Sequence, residues 1–173
     1  RISMQRNLRD FNGKEAIFID ANIFLHHAFD INPVSIEFLN RAELHNLKIY
    51  TSSLVLEEVS FKLLMQSASN FLDKVTVPKV KTLLHNEQKR AQVFDHVLKY
   101  MDYIALLKES GMTVLELKDS DIMTALQKTA KYGLITADAA HFSVMERKGI
   151  CHMATGDNDF KSLPGLTLWM PVV

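Results

Sequence analysis

One cysteine, Cys151, stands among 173 residues. That excludes an internal disulfide and a Cys-rich zinc site, and it points to a reducing, cytoplasmic setting. Glycine (6) and proline (4) are scarce, too few for a collagen-like or low-complexity chain. Net charge is absent as well, with 20 Lys and Arg against 20 Asp and Glu. Attraction to a polyanion must therefore come from a local surface rather than from whole-chain charge. The longest stretch without a charged residue is the 12 residues from Ser162 to Val173, interrupted by Pro164, Gly165 and Pro171. A spanning helix needs about 20 apolar residues, so no membrane partner is expected. Neither a Walker loop nor a Gly-rich dinucleotide fingerprint occurs. The seven histidines lack zinc-ligand spacing, His26 and His27 being adjacent and His85 and His96 eleven apart. What remains is a chain 47% hydrophobic and 23% charged, the composition of one globular domain over residues 1–173.

The apolar run Ala16-Ile17-Phe18-Ile19 reads as a buried parallel strand ending at Asp20. Pro33 and Ser35 open a helix with Val34, Ile36, Phe38, Leu39, Ala42 and Leu44 on its apolar face, and a second strand follows at Leu47 to Thr51. Ser52 or Ser53 is suited to N-cap a helix to about Leu72. Beyond Pro78, two helical stretches (80–86 and 92–108) stop at Gly111, and Met112 to Leu117 alternates as a third strand. Helices near 121–132 and 136–148 end at Gly133 and Gly149, where C-cap glycines sit. Ile150 to Thr155 is a fourth strand, with Cys151 read as a buried small hydrophobe, and Leu166 to Met170 an edge strand bounded by prolines. Alternating strands and helices predict an α/β domain whose mainly parallel sheet is covered on both faces. Residues 71–111 are long for a crossover and read as an inserted helical arm; residues 1–15 read as an N-terminal extension.

Carboxylates gather where strands end. Asp20 closes the first strand, Glu57 and Glu58 lie early in the helix after the second, Asp138 lies near a helix start, and Asp157 and Asp159 follow the fourth. In an open parallel sheet those ends share one rim, where such folds bind ligands. Asp138 and Glu57 also suit the first turn of a helix, and Asp157 and Asp159 suit turns, so each acid alone is ambiguous. Asp20 is less so, because a carboxylate behind Ile17-Phe18-Ile19 is costly without a partner. Asn22 is placed to orient Asp20 or to cap the next helix. Together the acids repel one another unless neutralised, and Mg²⁺ or Mn²⁺ is the natural remedy for an all-oxygen cluster.

Four blocks carry a family resemblance: Ile19-Asp20-Ala21-Asn22, Thr51 to Val59 (TSSLVLEEV), Tyr132 to His141 (YGLITADAAH) and Thr155-Gly156-Asp157-Asn158-Asp159-Phe160. In this order they resemble PIN domains, in particular the VapC-type toxin ribonucleases. The resemblance implies a three-layer α/β/α fold and an acidic pocket of Asp20, Glu58, Asp138 and Asp157 that holds metal and carries catalysis. Asn22 and Thr155 would support it, with Asp159 as a fifth acid. It implies an RNA substrate, Mg²⁺ or Mn²⁺ as cofactor, and an antitoxin protein as partner. Of the tandem glutamates, Glu58 matches because it directly precedes Val59. The 71–111 region is longer and more helical than in the compact toxins.

Two rival readings stand beside this one. The first is a non-catalytic PIN-like module that binds RNA or protein. The second is a phosphoryl-transfer enzyme with Asp20 as nucleophile, against which Asn22 occupies the position where such enzymes usually carry a second Asp. Between Lys74 and Lys99, six basic residues face two acidic ones. Lys79, Lys81, Lys89 and Arg90 are thus candidates for phosphate contact, the alternative being an ordinary solvated helix surface. His141, three residues after Asp138, lies on the same helical side, which would bring it near the pocket, though a packed helix residue is the favoured reading. Phe61, Met65, Phe71, Phe94, Leu98, Met101, Ile104 and Leu107 exceed what a sheet and its crossover helices need for a core. They predict a homodimer through these helices, the alternative being that the helical arm folds back and covers them within one chain. Asp20→Asn is expected to leave the fold intact or stabilise it, by relieving repulsion.

Overall fold

The apolar run Ile17–Ile19 becomes a strand with all three residues fully buried, as expected for the middle of a parallel sheet covered on both faces. Around it a computed structural model, describing residues 3–45 and 47–173, builds six strands and seven α-helices among those residues. The strands are β1 (Met4–Asn7), β2 (Ile17–Ile19), β3 (Ile49–Ser52), β4 (Thr113–Leu115), β5 (His152–Ala154) and β6 (Thr167–Met170). The helices are α1 (Ala21–Ala28), α2 (Pro33–Leu44), α3 (Ser53–Ala68), α4 (Val77–Leu84), α5 (Glu87–Glu109), α6 (Asp119–Tyr132) and α7 (Thr136–Lys148). The sheet order is β1-β6-β5-β2-β3-β4 and every pairing is parallel. This is the three-layer α/β/α architecture expected from the alternating pattern. The chain moves outward from β2 to β3 and β4, then returns to the other side of β2 for β5 and β6. The reversal leaves the carboxyl ends of β2 and β5 side by side, which is where open α/β sheets open a crevice for ligands.

Local chemistry fixes the element ends. Ser52 N-caps α3, its hydroxyl accepting from the Val55 N–H, and Asn32 does the same for α2 through the Ser35 N–H. Gly133 and Gly149 end α6 and α7 in left-handed conformations at φ 72° and 67°, which favour glycine. On α6, Asp121 is clamped by Arg147 of α7 at 2.7 Å, and the same guanidinium reaches the Glu116 carbonyl. Lys128 of α6 pairs with Glu146 of α7 at 2.5 Å. These contacts tie together the helix pair that carries Asp138.

Three expectations are corrected and one element is added. Leu166–Met170 is not an edge strand, because Met4–Asn7 pairs outside β6 and takes the edge itself; Arg6 lies over the Trp169 ring, 5.4 Å from its centre, and Leu8 and Phe11 are buried. Residues 21–28, left without a helix, form α1. Cys151 precedes β5 and is exposed rather than buried. The apolar surplus on α3 and α5 is also smaller than the sequence suggested. Ile104 and Leu107 are buried in the main core, Phe94 and Met101 pack against it, and Met65 and Phe71 pack against a second cluster of Ala68, Val80, Leu83 and Val93. That second cluster, formed by the end of α3, α4 and the start of α5, is how the helical stretch covers its own apolar side. Phe61 and Leu98 remain 43% and 60% exposed, with Leu106 at 51%. No helix among the described residues is long and apolar enough to cross a membrane.

Candidate active site

Asp20 leaves the end of β2 and N-caps α1, its Oδ1 accepting from the Ala21 N–H at 2.7 Å. Its Oδ2 accepts from the Asn22 amide at 2.5 Å and from the Thr155 hydroxyl at 2.6 Å. Thr155 follows β5, so these bonds lace together the two strand ends at the switch point. The lacing continues outward. Asn22 Oδ1 accepts from the Gly156 N–H at 2.8 Å, Thr155 Oγ1 accepts from the Asp157 N–H at 3.0 Å, and Asp157 Oδ1 accepts from the Asp159 N–H at 2.8 Å. Asp20 is buried, and burial pushes its carboxyl pKa up, while His141, the Thr155 hydroxyl and the Ala21 N–H work against that rise. Asn22 therefore orients Asp20, and Asp20 itself is the cap.

Asp138 enters from the first turn of α7 and is half-buried. Burial, then the charges of Asp157 and Asp20, push its pKa up to about 6. Oxygens of Asp138, Asp157 and Asp159 all lie within 4.8 Å of one another. Glu58 comes from the second turn of α3 and turns toward the same rim, whereas Glu57 is exposed. Its Oε1 is 2.5 Å from Lys62 Nζ, and its Oε2 is 3.5 Å from Nε2 of the buried His141. Those two neighbours, His141 first, hold the Glu58 carboxyl down at about 2 despite partial burial. Beside the acids an open groove of about 440 Å³ is lined by Asn22, His26, Gly156, Asp157, Asn158 and Asp159.

Asp20, Asn22, Asp138, Thr155, Asp157 and Asp159 thus converge from β2 and α1, α7 and the loop after β5, with Glu58 reaching in from α3. Lys79, Lys81, Lys89 and Arg90 belong elsewhere. They are exposed on α4 and the start of α5, around the second apolar cluster, and Arg90 is turned back onto the Leu84 carbonyl at 3.2 Å. At the pocket, Lys62 and the contact of His141 with Glu58 escaped sequence reasoning. Lys62 was legible as the i+4 partner of Glu58. His141 was noticed but assigned to packing, since nothing in one sequence shows that α3 brings Glu58 to its ring.

The donor set suits a divalent cation. Three carboxylates within 4.8 Å offer only oxygen, the preference of hard cations. Burial and the neighbouring carboxylates outweigh His141 in holding the Asp138 pKa up at about 6, which is the crowding a bound cation would relieve.

The PIN domain family model matches residues 17–166. With that extent of match, and with the acids gathered at the switch point, the chain belongs to the PIN domain family. Among solved structures it is similar to VapBC from Salmonella typhimurium bound to DNA, at 14% identity and a TM-score of 0.58, covering 91% of this chain and 99% of that one. It is likewise similar to VapC20 from Mycobacterium tuberculosis, described as a sarcin-ricin loop cleaving toxin, at 15% identity and TM-score 0.55, covering 87% and 97%. VapBC2 from Rickettsia felis bound to a promoter DNA fragment matches at 15% identity and TM-score 0.54, covering 88% and 96%. At these identities the likeness is one of fold. No curated protein matches the chain by sequence.

Proposed function

We propose that this protein is a divalent-metal-dependent endoribonuclease that cleaves RNA phosphodiester bonds in its acidic pocket, as the toxin of a toxin-antitoxin pair. The observation that carries this reading is the meeting of Asp138, Asp157 and Asp159 within 4.8 Å, next to buried Asp20. Membership of the PIN domain family and similarity of fold to a sarcin-ricin loop cleaving toxin support it. Asp20, Glu58, Asp138 and Asp157 would hold Mg²⁺ or Mn²⁺, with Asp159 joining from the rim. A bound divalent cation supplies Lewis acidity toward a phosphate and lowers the pKa of a bound water.

The chain's own residues do the rest. Asn22 and Thr155 hold Asp20 Oδ2 in one orientation, so its carboxylate is set before any ligand arrives. Asp138, crowded by burial and by the charges of Asp157 and Asp20, is the acid that gains most from a bound cation, which would keep its carboxylate ionised. Lys62, half-exposed beside Glu58, is the cation placed to meet a phosphate at the rim. A module that only binds would leave this concentration of negative charge without a use, and RNA would be repelled by it.

An antitoxin is the proposed protein partner, by analogy with the VapBC complexes of similar fold. Pairing of two chains through α3 and α5 would cover Phe61, Leu98 and Leu106, and the cytoplasm is the proposed location, in keeping with the exposed free thiol of Cys151. Incubation of the purified chain with mixed RNA and Mn²⁺ tests the nuclease reading. Discrete cuts that vanish with EDTA are expected, and intact RNA across Mg²⁺ and Mn²⁺ concentrations would refute it.

A further inference from the structure

We propose that His141 is a positioning residue for this site: its Nε2 fixes the Glu58 carboxylate in the pocket and so sets metal affinity and turnover without contacting RNA. The inference rests on the nuclease reading for its turnover arm only. His141 lies one helical turn after Asp138 on α7 and is 1% exposed, so no substrate can reach it. Its helix neighbours Ala139, Ala140, Phe142, Val144 and Met145 are buried and apolar, and the one other polar residue of the run, Ser143, is satisfied by the Ala139 carbonyl and Lys128. A residue needed only for packing would be one of these types, because a buried imidazole without partners is disfavoured. Yet neither ring nitrogen has a hydrogen-bond partner among the described residues. The nearest carboxylate oxygen to Nε2 is Glu58 Oε2 at 3.5 Å, longer than a good hydrogen bond and within ion-pair reach. Phe18 of β2 packs against the ring, 6.0 Å between centres at 44°, and fixes where the nitrogen points.

Glu58 has one other support, Lys62, and the two are unequal. Lys62 is half-exposed on a flexible stem and is free to turn to a phosphate, whereas His141 is held by sheet and helix. When substrate draws Lys62 away, the imidazole is the contact that keeps Glu58 in place. Groups that orient metal-binding residues typically change affinity or activity by about 10–100-fold when removed.

The test compares His141→Gln, whose amide reaches the Nε2 position, with His141→Asn, whose amide stops short at Nδ1. Both bury one amide, and because Asn is also smaller than the imidazole, thermal melts of both variants separate a packing loss from a change in Mn²⁺ affinity. Mn²⁺ binding is read by electron paramagnetic resonance on the full chain, and cleavage of labelled mixed-sequence RNA gives kcat and KM. The expected result is near wild-type Mn²⁺ affinity and kcat for Gln. For Asn, Mn²⁺ affinity and kcat should fall by about tenfold or more with KM unchanged. His141→Asn combined with Glu58→Gln should lose no more than Glu58→Gln alone. Equal behaviour of Gln and Asn, or additive losses in the double variant, would overturn the proposal. Should the wild type bind Mn²⁺ but cut no RNA, the nuclease reading fails, and the Gln-to-Asn difference in Mn²⁺ affinity still decides the role of His141.

Discussion

Replacing Asp138 by Asn removes one charge from the most crowded part of the pocket while keeping size and shape. The folded-state pKa of Asp138 is about 6 against an ordinary value of 3.8. At about 1.36 kcal/mol per unit that corresponds to roughly 3 kcal/mol, and half-burial with solvent screening reduces it to about 1–2 kcal/mol. The sign follows from proton binding, since the folded state holds this proton more tightly than the unfolded chain. The contribution is therefore fully present below about pH 4 and is lost as pH rises through 6. The Asn variant cannot ionise and escapes that loss. In EDTA at pH 7.5 it should be more stable than wild type by about 1–2 kcal/mol, or about 2–4 °C in Tm per kcal/mol for a chain of this length. At pH 4 the two should melt together. With Mn²⁺ the order should reverse, because only a chain that binds the ion gains stability from it. Thermal or urea melts from pH 4 to 8, with and without Mn²⁺, make the comparison. Parallel pH profiles for the two proteins in EDTA would refute the reasoning.

Asp20→Asn should behave oppositely, against the expectation from charge alone: its new amide would face the Thr155 hydroxyl and the Asn22 amide, both donors. Each lost acceptor contact costs about 1–3 kcal/mol, so its Tm in EDTA should fall, and a rise like that of Asp138→Asn would show the lacing to be unimportant. Replacing Lys79, Lys81, Lys89 and Arg90 with Ser should weaken RNA binding and lessen the salt slope by about 0.7 per contacted phosphate; an unchanged slope in filter-binding titrations would move the RNA path off the arm. For pairing of chains, sedimentation equilibrium at micromolar protein should give two chains, and Leu98→Asp with Leu106→Asp should give one. These exposed residues are the suitable probes, since Phe94 and Met101 pack against the core and would report folding. A dimer that survives both substitutions would place the interface on another surface.

The legible parts of this fold are those where burial writes a period or a cap. Ile17-Phe18-Ile19, Ser52 and the two C-cap glycines each have one local solution, and they framed β2, α3, α6 and α7. β1 stayed hidden because Met4-Gln5-Arg6-Asn7 is mostly exposed and joins the sheet through backbone bonds, which leave no hydrophobic signature. Helix α1 was masked by its length: eight residues, with Asn22, His26 and His27 as the polar positions beside buried Ala21, Ile23, Phe24 and Leu25, are little more than two turns and too few to establish a period. The acids could be read as strand-end carboxylates, whereas their lacing through Thr155 and Asn22 depends on β5 lying beside β2. The same holds for His141. Spacing ties it to Asp138, but only the packing of α3 against α7 brings Glu58 to it.

The central proposal is that the acidic pocket of Asp20, Glu58, Asp138 and Asp157, with Asp159 at its rim, holds a divalent cation. A crystal grown or soaked with Mn²⁺ and measured for anomalous scattering tests it directly. The account predicts one dominant anomalous peak in coordination distance of the Asp138 and Asp157 carboxylate oxygens, absent from crystals of Asp157→Asn. A dominant peak ligated by other residues, or no peak among these acids at millimolar Mn²⁺, would contradict it.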